Sequence, residues 1–264
     1  MEKQLFFSEN PKLFGMLYIP EQPNGQAVLF VPPFAEEKKS SQRTMVEIGQ
    51  SLSEGGCYVL LFDFRGCGDS DGNFEEAEVK LWLDDLTRAA DLLRQESGVV
   101  SLTLIGIRLG GYFSLLHAIS DAAIARLVLV ETVLEPIPYL RQILRGKLIK
   151  ELITAGNITS DRDTLILSLK NNVPIDFDGY PITGLFFKEL SEREGKDVFP
   201  VSLQKKTTMI HITETERIPS RVTKRVESYK TCRHQFVSMP AFWNRTDSVD
   251  NLRIKDVVTK IICQ

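Results

Sequence analysis

The ten residues LTLIGIRLGG, 102–111, constrain this chain more than any other segment. An apolar, strand-like run, Leu102–Gly106, passes almost at once into a helical pattern over Gly110–Ile119. So abrupt a reversal brings the strand and helix backbones together, and the glycines at 106, 110 and 111 leave room for that approach. The residue at the apex of the turn is Arg108.

The rest of the chain supplies the sheet that such a unit needs. Gln4–Phe7 and Phe14–Ile19 read as two antiparallel strands with a turn at Asn10–Pro11. Ala27–Val31, Tyr58–Asp63 and Leu127–Glu131 are further strand-sized apolar runs. Helical patterns over Gln42–Ser53 and Glu76–Gln95 separate them. Strands alternating with helices imply crossover connections and parallel pairing. Apolar runs without alternation imply strands covered on both faces. The rhythm resumes late, with a strand over Thr208–Thr213, a helix over Arg221–Tyr229, a strand over Gln235–Met239 and a closing helix over Ser248–Ile262.

Between Thr132 and Lys205 the strand rhythm stops. Tyr139–Thr154, Thr159–Lys170 and Thr183–Ser191 have helical patterns, with a Pro/Gly/Asp stretch between the last two. Roughly seventy residues far exceed an ordinary connection of about 2–6 residues. The segment 132–205 is therefore expected to be a helical cap inserted into a core formed by 1–131 and 206–264.

Composition narrows the function. A formal net charge of −3 lacks the basic excess of a nucleic-acid binder. The basic clusters Arg141–Lys150 and Lys205–Lys206 read as solvated faces. Cys57, Cys67, Cys232 and Cys263 form neither a C-x-x-C pair nor a Cys/His cluster, so no metal or other cofactor is expected. The N-terminal stretch lacks a long apolar run, and the apolar segments elsewhere are strand-sized. These features lead us to expect a cytoplasmic protein without membrane insertion.

Three loops carry what chemistry the chain has. The strand–G-x-R-x-G–helix context resembles the G-x-S-x-G nucleophile elbow of α/β-hydrolases, with Arg108 where the serine would stand. Asp63-Phe64-Arg65-Gly66-Cys67-Gly68-Asp69-Ser70 resembles their D-x-R-G-x-G-x-S loop, whose Asp and Ser hold turns by side-chain-to-backbone bonds. Val31-Pro32-Pro33-Phe34-Ala35-Glu36-Glu37 stands where their oxyanion loop follows a strand. The resemblance implies an α/β-hydrolase fold, about eight mostly parallel strands with helices on both faces and an inserted cap.

A closer resemblance covers the stretch from FVPPFAEEKKSSQRTMVEIGQ through FDFRGCGDSDG, GIRLGG and LEPIPYLRQILRGKLIKEL. These motifs resemble the second of two α/β-hydrolase-like families associated with exosortase A. Those systems sort proteins with a PEP-CTERM tail, often beside exopolysaccharide genes. The resemblance implies partner proteins of such a locus. It is close over about 28–152 and weaker afterwards, apart from PAFWN at 240–244.

The resemblance also says where a triad would stand, in the order nucleophile, acid, histidine. The nucleophile position is Arg108, and a permanently charged guanidinium cannot attack a carbonyl. Glu214 and Glu216, after the strand TMIHIT, are the candidate acids. The loop after the last strand holds Trp243 about where the histidine would be. The chain's histidines, His117, His211 and His234, lie elsewhere. With two of three triad members absent, serine esterase activity is not expected.

Two readings follow. In the first, the chain is a non-hydrolytic binding or accessory protein. Its pocket, around Phe34, Ala35, Glu36, Arg108, Leu109, Glu131 and Trp243, takes a small anionic or acyl ligand, since a guanidinium fork suits a carboxylate or phosphate. Within that reading, Arg108 either binds the ligand or pairs internally with Glu36, Glu131 or Glu216. Glu36 is the first choice, and Glu37 is read as solvated or as capping the coming helix. In the second reading the chain is a hydrolase or acyltransferase acting on an ester or thioester through Cys67, Glu36, Glu216, His234 or an activated water.

Overall fold

The computed structural model of the chain describes residues 1–264 except 156–160, 200–202, 204, 216, 219–221, 224–225, 227–228, 230, 246, 248 and 264, and except the side chains of 151, 152, 154 and 155. Ten strands are described: β1 (Glu2–Phe7), β2 (Leu13–Tyr18), β3 (Ala27–Val31), β4 (Tyr58–Phe62), β5 (Leu102–Ile107), β6 (Ile124–Val130), β7 (Ile175–Phe177), β8 (Tyr180–Ile182), β9 (Lys206–Ile212) and β10 (Cys232–Val237). The α-helices given in full among the described residues are α1 (Glu36–Glu54), α2 (Val79–Ser97), α3 (Leu109–Ser120), α4 (Pro136–Ala155), α5 (Arg162–Lys170), α6 (Gly184–Ser191) and α7 (Leu252–Cys263).

Eight strands form one sheet in the order β1-β2-β4-β3-β5-β6-β9-β10. β1 and β2 run antiparallel to each other, and β2 runs antiparallel to β4. Every pairing from β4 to β10 is parallel. The expected α/β fold, an α/β-hydrolase sheet of about eight strands, is the fold observed.

The apolar runs explain the layering. All five residues of β3 are buried, because helices cover both faces of the sheet. Val28 and Phe30 face a core closed by Met45, Ile48 and Leu52 of α1 and by Ile254, Val258 and Ile262 of α7. Ala27, Leu29 and Val31 face the opposite core, where Trp82 and Leu86 of α2 meet Tyr112 and Phe113 of α3. The central strands thus feed two cores by their period of two.

Between β6 and β9 the chain forms α4, α5, the hairpin β7–β8 and α6. The hairpin is a correction, since a loop was expected there. Asp178 and Gly179 both have positive φ, 52° and 87°, as a two-residue type I′ turn demands of an Asp-Gly pair. Two other boundaries move and matter for the site. α1 begins at Glu36, six residues before the expected Gln42, because its first turn is acidic rather than apolar. Carboxylates suit the positive end of a helix dipole, so no apolar periodicity is needed there. β10 begins at Cys232, which puts His234 inside the strand. The expected helix over Arg221–Tyr229 falls partly outside the described residues.

Candidate active site

The elbow is built by steric necessity. Arg108 has φ 54° and ψ −121°, a region costly for any residue with a Cβ. Its backbone is held on three sides. Arg108 N–H donates to Val130 O (2.9 Å), and Arg108 O accepts from Gly111 N–H and Val133 N–H (3.1 Å each). A Cβ on Gly110 would stand 2.3 Å from Val31 O, and one on Gly111 would stand 2.1 Å from Thr132 Oγ1. Strand ends β3, β5 and β6 therefore meet at this turn only because those positions carry no side chain.

Two neighbouring turns share the same kind of strain. Ala35, which precedes α1, has φ 52° and ψ −129°. Glu131, which follows β6, has φ 43°. Strained non-glycine residues thus end three adjacent strands at one edge of the sheet. Such strain persists where the surrounding structure enforces it, and it clusters at functional sites.

The Arg108 side chain bonds through each of its three nitrogens. Its Nε donates to Glu37 Oε1 and Oε2 (3.2 and 3.4 Å), and Nη2 donates to Glu37 Oε1 (3.1 Å). Nη1 donates to Glu131 O (3.1 Å). The guanidinium carbon lies 4.9 Å from the Trp243 ring centre and 5.5 Å from that of Tyr139. Tyr139 Oη donates to Glu37 Oε2 at 2.8 Å. The Arg108 and Glu37 side chains keep only 16% and 17% of their surface exposed. Burial pushes the Glu37 carboxyl above its ordinary range, against the opposing pull of Arg108 and the Tyr139 hydroxyl. Burial likewise raises the Tyr139 hydroxyl well above its usual range.

The pairing corrects the expected partner. Glu37 meets Arg108, whereas Glu36 turns outward to Lys39 (3.6 Å, one turn along the helix). The reason is the early start of α1. With Ala35 as N-cap, successive side chains of the first turn diverge by about 100°, so two adjacent glutamates cannot face one point. Glu131 contributes its backbone carbonyl to Arg108, while its Oε1 accepts from Ile212 N–H (2.7 Å). Glu214 is exposed, and Glu216 lies outside the described residues.

A cavity of about 100 Å³ adjoins the pair, lined among others by Arg108, Glu131, Thr132, Tyr139, Met209 and His211. Of the residues expected around the pocket, Arg108 and Glu131 line it. Trp243 reaches Arg108 itself, about where a histidine was sought. Phe34, Ala35 and Leu109 are buried and do not line the cavity. Phe34 instead stacks on Phe186 of α6, 5.3 Å between ring centres.

Three lining or flanking residues were not foreseen. Glu37 lies in the loop motif 31–37 but is expected to be solvated or to cap the helix, and only the true start of α1 turns it inward; Tyr139 carries no motif signal. His211, inside a strand and away from the expected histidine position, is buried, yet it borders the cavity. Its Nε2 lies 2.9 Å from His234 Nδ1, and burial beside His234 pushes its pKa down to about 4. Cys67 is also unsuited to attack, since burial and then Asp63 push its thiol up to about 12. The loop 63–70 behaves structurally: Ser70 Oγ donates to Asp63 O (2.7 Å), and Asp63 Oδ2 accepts from Asp69 N–H (3.1 Å). Among the described residues no group of three or more His, Cys, Asp or Glu could hold a metal ion.

A mostly parallel eight-stranded sheet, with a strained strand–turn–helix elbow at its edge and a run of helices and a hairpin between β6 and β9, defines an α/β-hydrolase-fold protein. A family model described as serine aminopeptidase, S33, matches residues 23–172, more than half of the chain, and the chain belongs to that family. It is 28% identical over 122 residues to the rat protein named palmitoyl-protein thioesterase ABHD10, mitochondrial, a match spanning 46% of this chain and 37% of the relative. The human protein of that name is 29% identical over 122 residues, 46% of this chain and 36% of the relative. The match thus spans little more than a third of these curated relatives. Among solved structures, Est1E from Butyrivibrio proteoclasticus with bound ferulic acid superposes with a TM-score of 0.68 at 18% identity, over 100% of this chain and 96% of that one. The mouse α/β hydrolase domain-containing protein 10 gives 0.63 at 18% identity, over 99% and 98%. These likenesses show the fold.

Proposed function

We propose that this chain is a non-hydrolytic binding or accessory member of its family, in which an internal ion pair occupies the seat of the nucleophile. One observation carries the reading: the elbow residue is Arg108, and Glu37, Glu131 O, Tyr139 and Trp243 already surround its guanidinium. A guanidinium offers no lone pair for attack. A serine elbow needs a histidine base within reach, and here Trp243 stands beside the elbow residue.

The segment 132–205 acts in this reading as a cap over the sheet edge. The contacts of Tyr139 with Glu37 and of Phe186 with Phe34 support it. A cavity of about 100 Å³ is below the ~300–1,000 Å³ usual for drug-sized ligands. With the cap closed, the ligand is a small carboxylate or phosphate, or the head of a longer acyl compound. The name of the relatives, palmitoyl-protein thioesterase, favours acyl compounds. The motif resemblance favours a partner in an exosortase or exopolysaccharide system, and the four free cysteines favour the cytoplasm.

Thermal melts with acetate, octanoate, inorganic phosphate and an acyl phosphate test the binding reading. A saturable rise in melting temperature with one of them, lost in Arg108→Ala, supports it. No rise with any of the four refutes a small-anion pocket.

The second reading, hydrolysis by an activated water, has one observation in its favour: His211 borders the same cavity as Arg108. A pKa near 4 makes His211 a weak base at neutral pH, which is why binding is preferred.

A further inference from the structure

At the opposite end of the sheet from the elbow, two cysteines 206 positions apart meet. Cys57 Sγ lies 3.8 Å from Cys263 Sγ. Both are free thiols. Cys57 is fully buried at the entry to β4, and Cys263 is partly exposed at the last residue of α7. The fold builds this meeting from several sides. Arg126 Nη1 donates to Ile261 O (2.8 Å) and Ile262 O (3.1 Å), which seats the final turn of α7 against β6. Asn24 Nδ2 approaches Cys57 Sγ at 3.5 Å. A Cβ on Gly55 would stand 3.0 Å from Cys263 Sγ, so the glycine leaves the second thiol its place.

We propose that Cys57 and Cys263 form an oxidation site, a dithiol that a hydroperoxide converts to a disulfide stapling α7 to the sheet. The partly exposed thiol is the one a peroxide reaches. The Cys263 thiolate attacks the terminal peroxide oxygen, the O–O bond breaks, and the departing alkoxide (hydroxide when the oxidant is hydrogen peroxide) takes up the proton that Cys263 released, leaving Cys263 sulfenic acid and an alcohol or water. Cys57 Sγ then attacks Cys263 Sγ. The S–S bond forms, the S–O bond breaks, and hydroxide leaves with the Cys57 proton as water. Two thiols lose two electrons in all, and one hydroperoxide gains them.

The other cysteines are placed differently. Cys67 is enclosed beside Asp63 and Lys38, and Cys232 lies at the start of β10. Burial pushes the Cys57 thiol up to about 11, which makes it the less reactive of the two toward a peroxide, and its place 3.8 Å from Cys263 Sγ rather than its acidity makes it the resolving thiol. The cross-link closes a very long loop, so it constrains the unfolded chain strongly. α7 packs on α1 and contributes Ile254, Val258 and Ile262 to one core, so the cross-link fastens a core-forming helix to the sheet.

The test treats the purified full chain with a small excess of hydrogen peroxide, alkylates the remaining thiols and maps peptides without reduction. The expected product joins the peptides of Cys57 and Cys263, leaves two alkylated cysteines and reverses with dithiothreitol. Its melting temperature rises by roughly 5–15 °C, as expected for a long closed loop in a chain of this size. Cys263→Ser abolishes both product and shift. Cys67→Ala/Cys232→Ala, which leaves the pair untouched, keeps both, and so does not depend on whether a Cys57 variant folds. Cys263 oxidised to sulfinate without a cross-link would overturn the proposal, as would a cross-link through Cys67 or Cys232.

Discussion

Tyr139 Oη donates a 2.8 Å hydrogen bond to Glu37 Oε2, joining the first turn of α4 to the first turn of α1. The bond ties α4 to α1 through the same carboxylate that pairs with Arg108. Tyr139→Phe removes only that bond and leaves the ring. A hydrogen bond to a charged group is worth about 1.5–3 kcal/mol, so chemical denaturation is expected to show a loss of that order. Hydrogen exchange should quicken over α4 while β3 and β5 keep their protection. Unchanged exchange in α4 would mean that the insertion is held elsewhere.

Glu37 gives the protein a distinctive pH response. Its carboxyl titrates above the ordinary 4.5, with burial the first cause. A raised carboxyl in the folded state holds its proton more tightly than in the unfolded chain. Its contribution to stability is therefore full below about 4.5 and is lost as pH rises from 4.5 through the raised value. Urea melts across pH 4–8 are expected to show this falling limb in the wild type, and Glu37→Gln should flatten it. In Arg108→Ala the limb should extend to higher pH, because the cation that holds the carboxylate ionised is gone.

His211 contributes a limb of opposite sign. Its pKa is pushed from 6.5 down to about 4, by burial first and by His234 second. The unfolded chain binds the proton more tightly, so this stability is present above 6.5 and is lost as pH falls from 6.5 to about 4. The full effect is on the order of 3 kcal/mol. Replacing His211 by Gln should flatten the acid side of the profile and leave the Glu37 limb in place, and superimposable profiles would contradict it.

How much of this was legible in the sequence depends on the residue. The elbow was legible because backbone contact demands glycine: 106, 110 and 111 have no alternative, and the flanking apolar runs name the strand and the helix. The sheet was legible for the same reason that its strands are buried on both faces. Trp243 could be placed because its loop closes a strand that the pattern shows. The Arg108 partner was not legible. Whether Glu36 or Glu37 faces the pocket depends on the phase of α1, and its polar first two turns carry no apolar periodicity to fix that phase. Tyr139 was hidden because apolar residues are spread around α4 with almost no preference for one face, exposed Ile149 and Ile153 among them, so the sequence does not mark the face that carries Tyr139 inward. The His211–His234 contact needed the register of β9 on β10, where His234 pairs with Met209, and a three-residue error in the start of β10 conceals it.

Arg108→Ala leaves Glu37 without its cation in a largely enclosed place. Breaking a buried pair costs about 3–5 kcal/mol, and the remaining exposure of both side chains lowers the expectation to about 2–4 kcal/mol. Arg108→Ser should be destabilised similarly and gain no esterase activity, because Trp243 rather than an imidazole stands beside position 108. Robust turnover by Arg108→Ser would show that a base had been overlooked.

The central claim is that this elbow performs no serine chemistry, and the most direct measurement is the intact mass of the folded wild-type protein after incubation with a fluorophosphonate probe. The account predicts an unshifted mass, together with no hydrolysis of p-nitrophenyl acetate or butyrate above the buffer rate. One adduct per chain, mapped to any serine, would contradict it.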